Sequence, residues 1–142
     1  MSNLFSEYKY KTEMHAHTSP VSLCSEISPK LLVENYAKLN YDSVIITNHF
    51  EPSLLRYESA KACAEMYLAD YEEARSYGEK LGINVILGME IRFEENYNDY
   101  LVYGIDEGFV EKAFYYLNKD IKTFYTEMKN DQCLIIQAHP FR

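Results

Sequence analysis

With 142 residues, 47% of them hydrophobic, the chain is long enough for one domain with a buried core and too apolar for a disordered segment. Fourteen Lys and Arg against 22 Asp and Glu leave a formal net charge of −8, which repels phosphate backbones and argues against non-specific nucleic-acid binding. No window approaches the roughly 18 apolar residues of a spanning helix, and the N-terminal "MSNLFSEYKYKTEMH" has no apolar leader core, so no membrane partner is expected.

In chain order, "KTEMHAH" (11–17) reads as a short strand. "ISPKLLVENYAKLN" (27–40) reads as a helix with Ser28 as N-cap, Pro29 at the first helical position, and Leu32, Tyr36 and Leu39 on one face. "DSVIITNHF" (42–50) is β-branched and continuous, as a strand covered on both faces should be. Residues 59–82 carry a long helical pattern with Tyr67, Tyr71, Ala74 and Leu81 along one stripe, closed by Gly82. "INVILGMEIRF" (83–93) and "DYLVYGI" (99–105) are strands joined by the polar turn "EENYN". Helices follow from Asp106 or Glu107 to about Asn118 and over 120–130, and "QCLIIQAHP" (132–140) reads as a last buried strand. Alternating strands and helices imply an α/β fold with a mainly parallel sheet or part of a barrel. A final strand running straight into "HPFR" leaves one sheet edge uncovered, so the expectation is a single domain over 1–142 that is incomplete at its C-terminus.

In parallel α/β folds ligands bind beyond the carboxyl ends of the strands. All four histidines fall there: His15 and His17 end the first strand, His49 the second and His139 the last, with Glu90 in the third after Gly88. His-x-His on an extended segment puts both rings on one face, because strand side chains alternate with period two. Neutral imidazoles with a carboxylate form the ligand set of zinc, manganese or iron, and a catalytic site draws such ligands from several strands.

Taken together, "MHAHTSPVSLCS", "VIITNHF", "GMEIRF", "DYLVYGI" and "QAHPFR" resemble the successive motifs of the PHP superfamily, the polymerase and histidinol phosphatase metal-dependent phosphoesterases. The likeness runs through the whole chain in the family's order. It implies the N-terminal part of a distorted seven-stranded β/α barrel with two or three divalent metals at its mouth, and a small phosphorylated substrate hydrolysed through a metal-activated water. By motif, His15 and His17 would bind a first metal, Glu90 would bridge the first and second, His139 would bind the second and His49 a third. His15, His17, Glu90 and His139 would form the catalytic centre. Arg142, directly after "HPF", would hold the substrate phosphate through its guanidinium fork.

The sequence departs from the family pattern at three points. The usual closing Asp-x-His motif lies beyond this chain, the segment after "DYLVYGI" offers no histidine, and "SPVSLCS" stands where an acidic or histidine ligand often follows HxHT, leaving Cys24 as a substitute. Three cysteines without CxxC spacing favour neither a disulfide framework nor a zinc knuckle and fit a reduced, cytoplasmic protein, with Cys63 and Cys133 as packing residues. Asp99 reads as a turn-ending carboxylate or an orienting partner for a ligand. Two other functions stay open on the sequence. One is a metal-binding domain of this type without catalysis, and the other is amidohydrolase-like hydrolysis, which shares the HxH but usually wants a lysine or further histidines at later strand ends.

Overall fold

The helices begin where the sequence supplies a side-chain cap. In the computed structural model, which describes residues 9–141, the elements run β1 (Thr12–Ala16), α1 (Pro29–Lys38), β2 (Ser43–Ile46), β3 (His49–Phe50), a short 3-10 helix (Pro52–Arg56) and α2 (Ala60–Leu81). They continue through β4 (Asn84–Arg92), β5 (Asp99–Tyr103), α3 (Glu107–Phe114), α4 (Ile121–Met128) and β6 (Leu134–Gln137). Ser28, Ser59, Asp106 and Asp120 each accept a backbone N–H of their helix's first turn, which satisfies donors the helix itself leaves orphaned. Gly82 closes α2 at φ 74°, a left-handed cap that costs glycine little.

The sheet order is β1-β2-β4-β5-β6, with β3 also pairing with β4. β1, β2 and β4 are parallel, and β3 is parallel to β4. β5 is antiparallel to both β4 and β6. This is the α/β sheet of mostly parallel strands anticipated from the alternating pattern. Its curl has a direct witness: Tyr103 in β5 donates its hydroxyl to the Met14 carbonyl in β1 at 2.9 Å. Three strand spacings would separate β1 from β5 by about 14 Å in a flat sheet, too far for one tyrosine to span. The sheet therefore bends into part of a barrel, with Ile45, Leu101, Tyr103 and Ala138 clustered on the inside.

The outer face carries the main core. α1 and α2 cover Val44, Ile46 and Val85 through Leu32, Val33 and Ala74. α2, α3, α4 and the turn between the last two bury Leu87, Met89, Ile91 and Val102 with Tyr67, Phe109, Leu117, Phe124 and Met128. Leu39 and Leu81, expected on the buried stripes, are exposed: Leu39 is the cap residue after α1 and Leu81 the last residue of α2.

Two strand expectations need correction. The run 42–50 is broken: Thr47 and Asn48 fall between β2 and β3, where the Thr47 N–H still bonds the Ala16 carbonyl at 2.8 Å and side chains add to the backbone bonds, the Thr47 hydroxyl and Asn48 Oδ1 accepting from the Ala16 and Thr18 N–H groups. The last strand is shorter than expected and is not buried, since it has β5 on one side only; Leu134 is 56% exposed and Ile136 45%.

β1 also carries an irregularity. Glu13 pairs with Val44 and Ala16 with Ile46, so β1 uses three steps where β2 uses two. The His15 N–H at this bulge is taken up by Glu13 Oε1 at 3.0 Å, while Glu13 Oε2 accepts the Tyr36 hydroxyl of α1.

Gly88 allows the close approach of β4 to the break after β2. A Cβ there would lie 2.8 Å from Ile45 Cγ2 and 2.9 Å from Thr47 Cγ2. Gly88→Ala is expected to destabilise the protein by about 1–3 kcal/mol through overpacking, read from denaturant midpoints; a change below ~0.5 kcal/mol would show that β2 gives way freely.

Candidate metal centre

The four strand-end histidines and Glu90 converge inside the curled sheet. Glu90 is 1% exposed and uses both carboxylate oxygens. Oε1 faces His139 Nε2 at 3.0 Å, and Oε2 faces His15 Nε2 at 3.3 Å, His17 Nε2 at 3.1 Å and His49 Nδ1 at 3.3 Å. The rings form two stacked pairs, His15 with His139 and His17 with His49, centroids 5.9 and 4.6 Å apart. The Nε2 atoms of His15 and His17 are 2.9 Å apart. The structure thus brings together His15, His17, His49, Glu90 and His139. Arg142 lies outside the described residues.

Ring orientation comes from a buried polar network that periodicity does not reveal. Asn48 Oδ1 accepts the Thr18 backbone N–H at 2.7 Å, so it is the oxygen, and Ser22 must donate its hydroxyl to it at 2.9 Å. With that proton committed, Ser22 Oγ can only accept: it takes the His49 N–H at 2.8 Å and faces His17 Nδ1 at 3.3 Å. His17 Nδ1 therefore carries the ring proton, and the Nε2 lone pair points at Glu90 and His15. A ring held by its far nitrogen in this way is the usual arrangement of a metal-ligating histidine. Thr18 in turn donates its hydroxyl to Asp70 Oδ2 at 2.8 Å and accepts from Asn48 Nδ2 at 2.8 Å. Asp70, buried within α2, also accepts the Val21 N–H, so the helix grips the 18–22 loop.

Sequence reasoning passed over Thr18, Ser22, Asn48 and Asp70. One signal was available for Asp70: it sits three residues from Tyr67 and four from Ala74, on the buried face of an amphipathic helix where a carboxylate needs a partner. Tyr67 is itself recruited, its buried hydroxyl lying 2.7 Å from the Asn48 carbonyl and 3.2 Å from that of Gly88.

The electrostatics suit cations. Burial pushes the Glu90 carboxyl up, but the hydrogen bond from His15, with the His17 and His49 imidazoles around it, outweighs burial and holds the group well below the usual carboxylate range. The hydrogen bond to Glu90 raises His15, whereas burial lowers His49. His49 Nδ1 is buried and makes no hydrogen bond among the described residues, although Glu90 Oε2 lies 3.3 Å away. Three ring nitrogens aimed at the single oxygen Oε2 exceed its two lone pairs, and such a donor set fits divalent zinc, manganese or iron. Two groups place their ligand atoms within 4.8 Å of one another: His15, Glu90 and His139, and His17, Cys24 and His49.

Nearby residues take structural parts. Asp99 is 2% exposed and forms a two-pronged pair with Arg92, Nε–Oδ1 2.8 Å and Nη2–Oδ2 3.0 Å. Its carbonyl accepts the Ala138 N–H at 2.8 Å, which fixes the backbone next to His139. Cys63 is buried in the core, where burial pushes its thiol up to about 11, and Cys133 lies at the Met128 carbonyl; among the described residues neither belongs to a cluster of metal-ligating side chains. Among the described residues no helix is long and apolar enough to cross a membrane.

Comparison with known proteins agrees with this geometry. The sequence matches the profile described as "PHP domain" over residues 13–139. An 85-residue stretch, 60% of the chain, is 28% identical to a DNA polymerase III of PolC type from Oceanobacillus iheyensis and covers 5% of that protein. In fold, the chain resembles a two-domain protein of Bacteroides vulgatus containing a predicted PHP-like metal-dependent phosphoesterase (TM-score 0.61, 22% identity, 92% of this chain and 34% of that one). It also resembles a candidate metal-dependent phosphoesterase of Bifidobacterium adolescentis (TM-score 0.51, 21% identity, 76% of this chain and 33% of that one). The chain spans about a third of the length of these two structures. With the profile matching nearly end to end and four histidines and a glutamate meeting at the mouth of a partial barrel, the chain belongs to the PHP domain family.

Proposed function

We propose that the protein is a metal-dependent phosphoesterase acting on a small phosphorylated substrate, with two or three divalent cations of the zinc, manganese or iron type held by His15, His17, His49, Glu90 and His139. The observation that carries this reading is the buried Glu90 carboxylate, whose two oxygens face different histidines. A carboxylate can serve two cations at once, which a single imidazole nitrogen cannot. Cations held there supply charge neutralisation for a phosphoryl group and lower the pKa of water. The chain's own residues set the geometry: Ser22 keeps the His17 proton on Nδ1, Asn48 and Asp70 hold the loop that carries Ser22, and Asp99 fixes the backbone beside His139.

The test is hydrolysis of small phosphomonoesters such as p-nitrophenyl phosphate by the intact protein, before and after chelation and with zinc or manganese restored. His17→Ala is expected to lower kcat by about 100-fold or more, since even outer partners of ligands are worth 10–100-fold. Unchanged, chelator-resistant turnover would overturn the reading. A second reading, a metal-binding domain without catalysis of its own, is favoured by the match to a polymerase of which this chain covers so small a part. Bound metal with no turnover of any phosphoester by the full-length protein would select it.

A further inference from the structure

The centre is flanked by cavities at His49 and at His139, and the two differ in chemistry. The cavity beside His49, about 530 Å³, is walled by Val21, Leu54, Tyr57, Met66 and Ala69. The one beside His139, about 350 Å³, is bounded by Arg92, Tyr97, Asn98 and Asp99. Polar groups that line the larger cavity are engaged within the protein. Asp70 accepts the Thr18 hydroxyl and the Val21 N–H, the Ser53 hydroxyl donates to Glu51 at 2.9 Å, and Arg92 is forked onto Asp99 with Glu51 3.6 Å from its remaining Nη1. Arg56 lays its guanidinium over the Tyr57 ring, 5.5 Å from the centroid, so its stem extends the wall while its charge stays exposed. What is left for a ligand to meet is mainly carbon. Leu23, 91% exposed, adds an uncovered apolar side chain to the same lining.

We propose that the cavity beside His49 receives the organic part of the phosphoester and selects an apolar, ring-sized group over a polar, hydroxyl-bearing one; this rests on the reading that the Glu90 cluster takes the phosphoryl group. His49 is the shared wall: its Nδ1 lies 3.3 Å from Glu90 Oε2, and the same residue lines the cavity. An ester seated at the cluster can therefore lay its remaining atoms against Leu54, Tyr57 and Met66. The volume falls in the range of small-molecule sites, which are lined mostly by apolar side chains. A hydroxyl-bearing group would lose its water there and find donors and acceptors already taken, whereas a ring gains from burial alone. Ala69, a small exposed residue of α2, leaves room that a larger side chain would take.

The test is calorimetric binding of two phosphonates, which are not hydrolysed, to the intact zinc-loaded protein. Phenylphosphonate is expected to bind about tenfold tighter, or more, than 2-hydroxyethylphosphonate. Ala69→Phe, which narrows the cavity, should bring the two affinities to within about threefold of each other. Glu73→Phe, an equally bulky change at an exposed position of α2 outside the cavity lining, should keep the wild-type ratio. Equal affinities in the wild type, tighter binding of the hydroxyethyl compound, or a ratio that survives Ala69→Phe would overturn the proposal while leaving the phosphoryl site standing. Binding of neither phosphonate by protein shown to carry zinc would overturn both.

Discussion

Glu90→Gln is expected to lose most bound metal, with affinity falling by about 100-fold or more, because the variant keeps the side chain's size but gives up its charge and one acceptor oxygen. Metal content after dialysis, measured by elemental analysis, reads this directly. Thermal unfolding gives a second reading. A cation at about 1,000 times its Kd should stabilise the wild type by roughly 4 kcal/mol through mass action. In Glu90→Gln, at the same metal concentration, a 100-fold weaker site leaves about 1.4 kcal/mol of that increment or less, while the metal-free proteins unfold at similar temperatures. Undiminished metal content would mean that the carboxylate is a spectator among the histidines.

Asn48→Ala is expected to have the second largest effect, on stability and metal affinity together. It removes the acceptor for the Thr18 N–H and the Ser22 hydroxyl and the donor to Thr18 Oγ1. Buried groups left without partners cost about 1–3 kcal/mol each, so a loss of roughly 3–5 kcal/mol in denaturant unfolding follows. Ser22 would then be free to donate to His17 Nδ1, shifting the ring proton to Nε2, the nitrogen that faces Glu90. Metal affinity should drop by about 10–100-fold even at temperatures where the variant stays folded. A variant that loses stability but keeps wild-type affinity would show that the network serves the fold alone.

The grouping of His15, His17, His49, Glu90 and His139 was legible because it needs only two rules: alternating elements build a parallel sheet, and the carboxyl ends of its strands share one mouth. The helix starts were legible for a similarly local reason, a Ser or Asp placed just before an amphipathic run. What escaped depends on partners far apart in the chain. Asn48 looks like one more residue of a β-branched strand until Thr18, thirty positions earlier, is seen to need its oxygen. Asp70 lies hidden in a helical stripe, and the exposure of β6 depends on its place at the edge of the sheet, which pattern alone does not assign.

The bulge in β1 has a consequence for how errors travel along that strand. In an unbroken strand, Glu13 and Ala16 would point to opposite faces, yet Glu13 reaches Tyr36 of α1 while Ala16 joins the core beneath the same helix. The extra residue acts as a phase joint. Ahead of it, the strand takes its register from α1 and β2; behind it, His15 and His17 take theirs from the mouth. Substitutions at Thr12 can thus disturb the early half without turning the two imidazoles away from Glu90, whereas Glu13, whose Oε1 accepts the His15 N–H, is the clasp between the two halves.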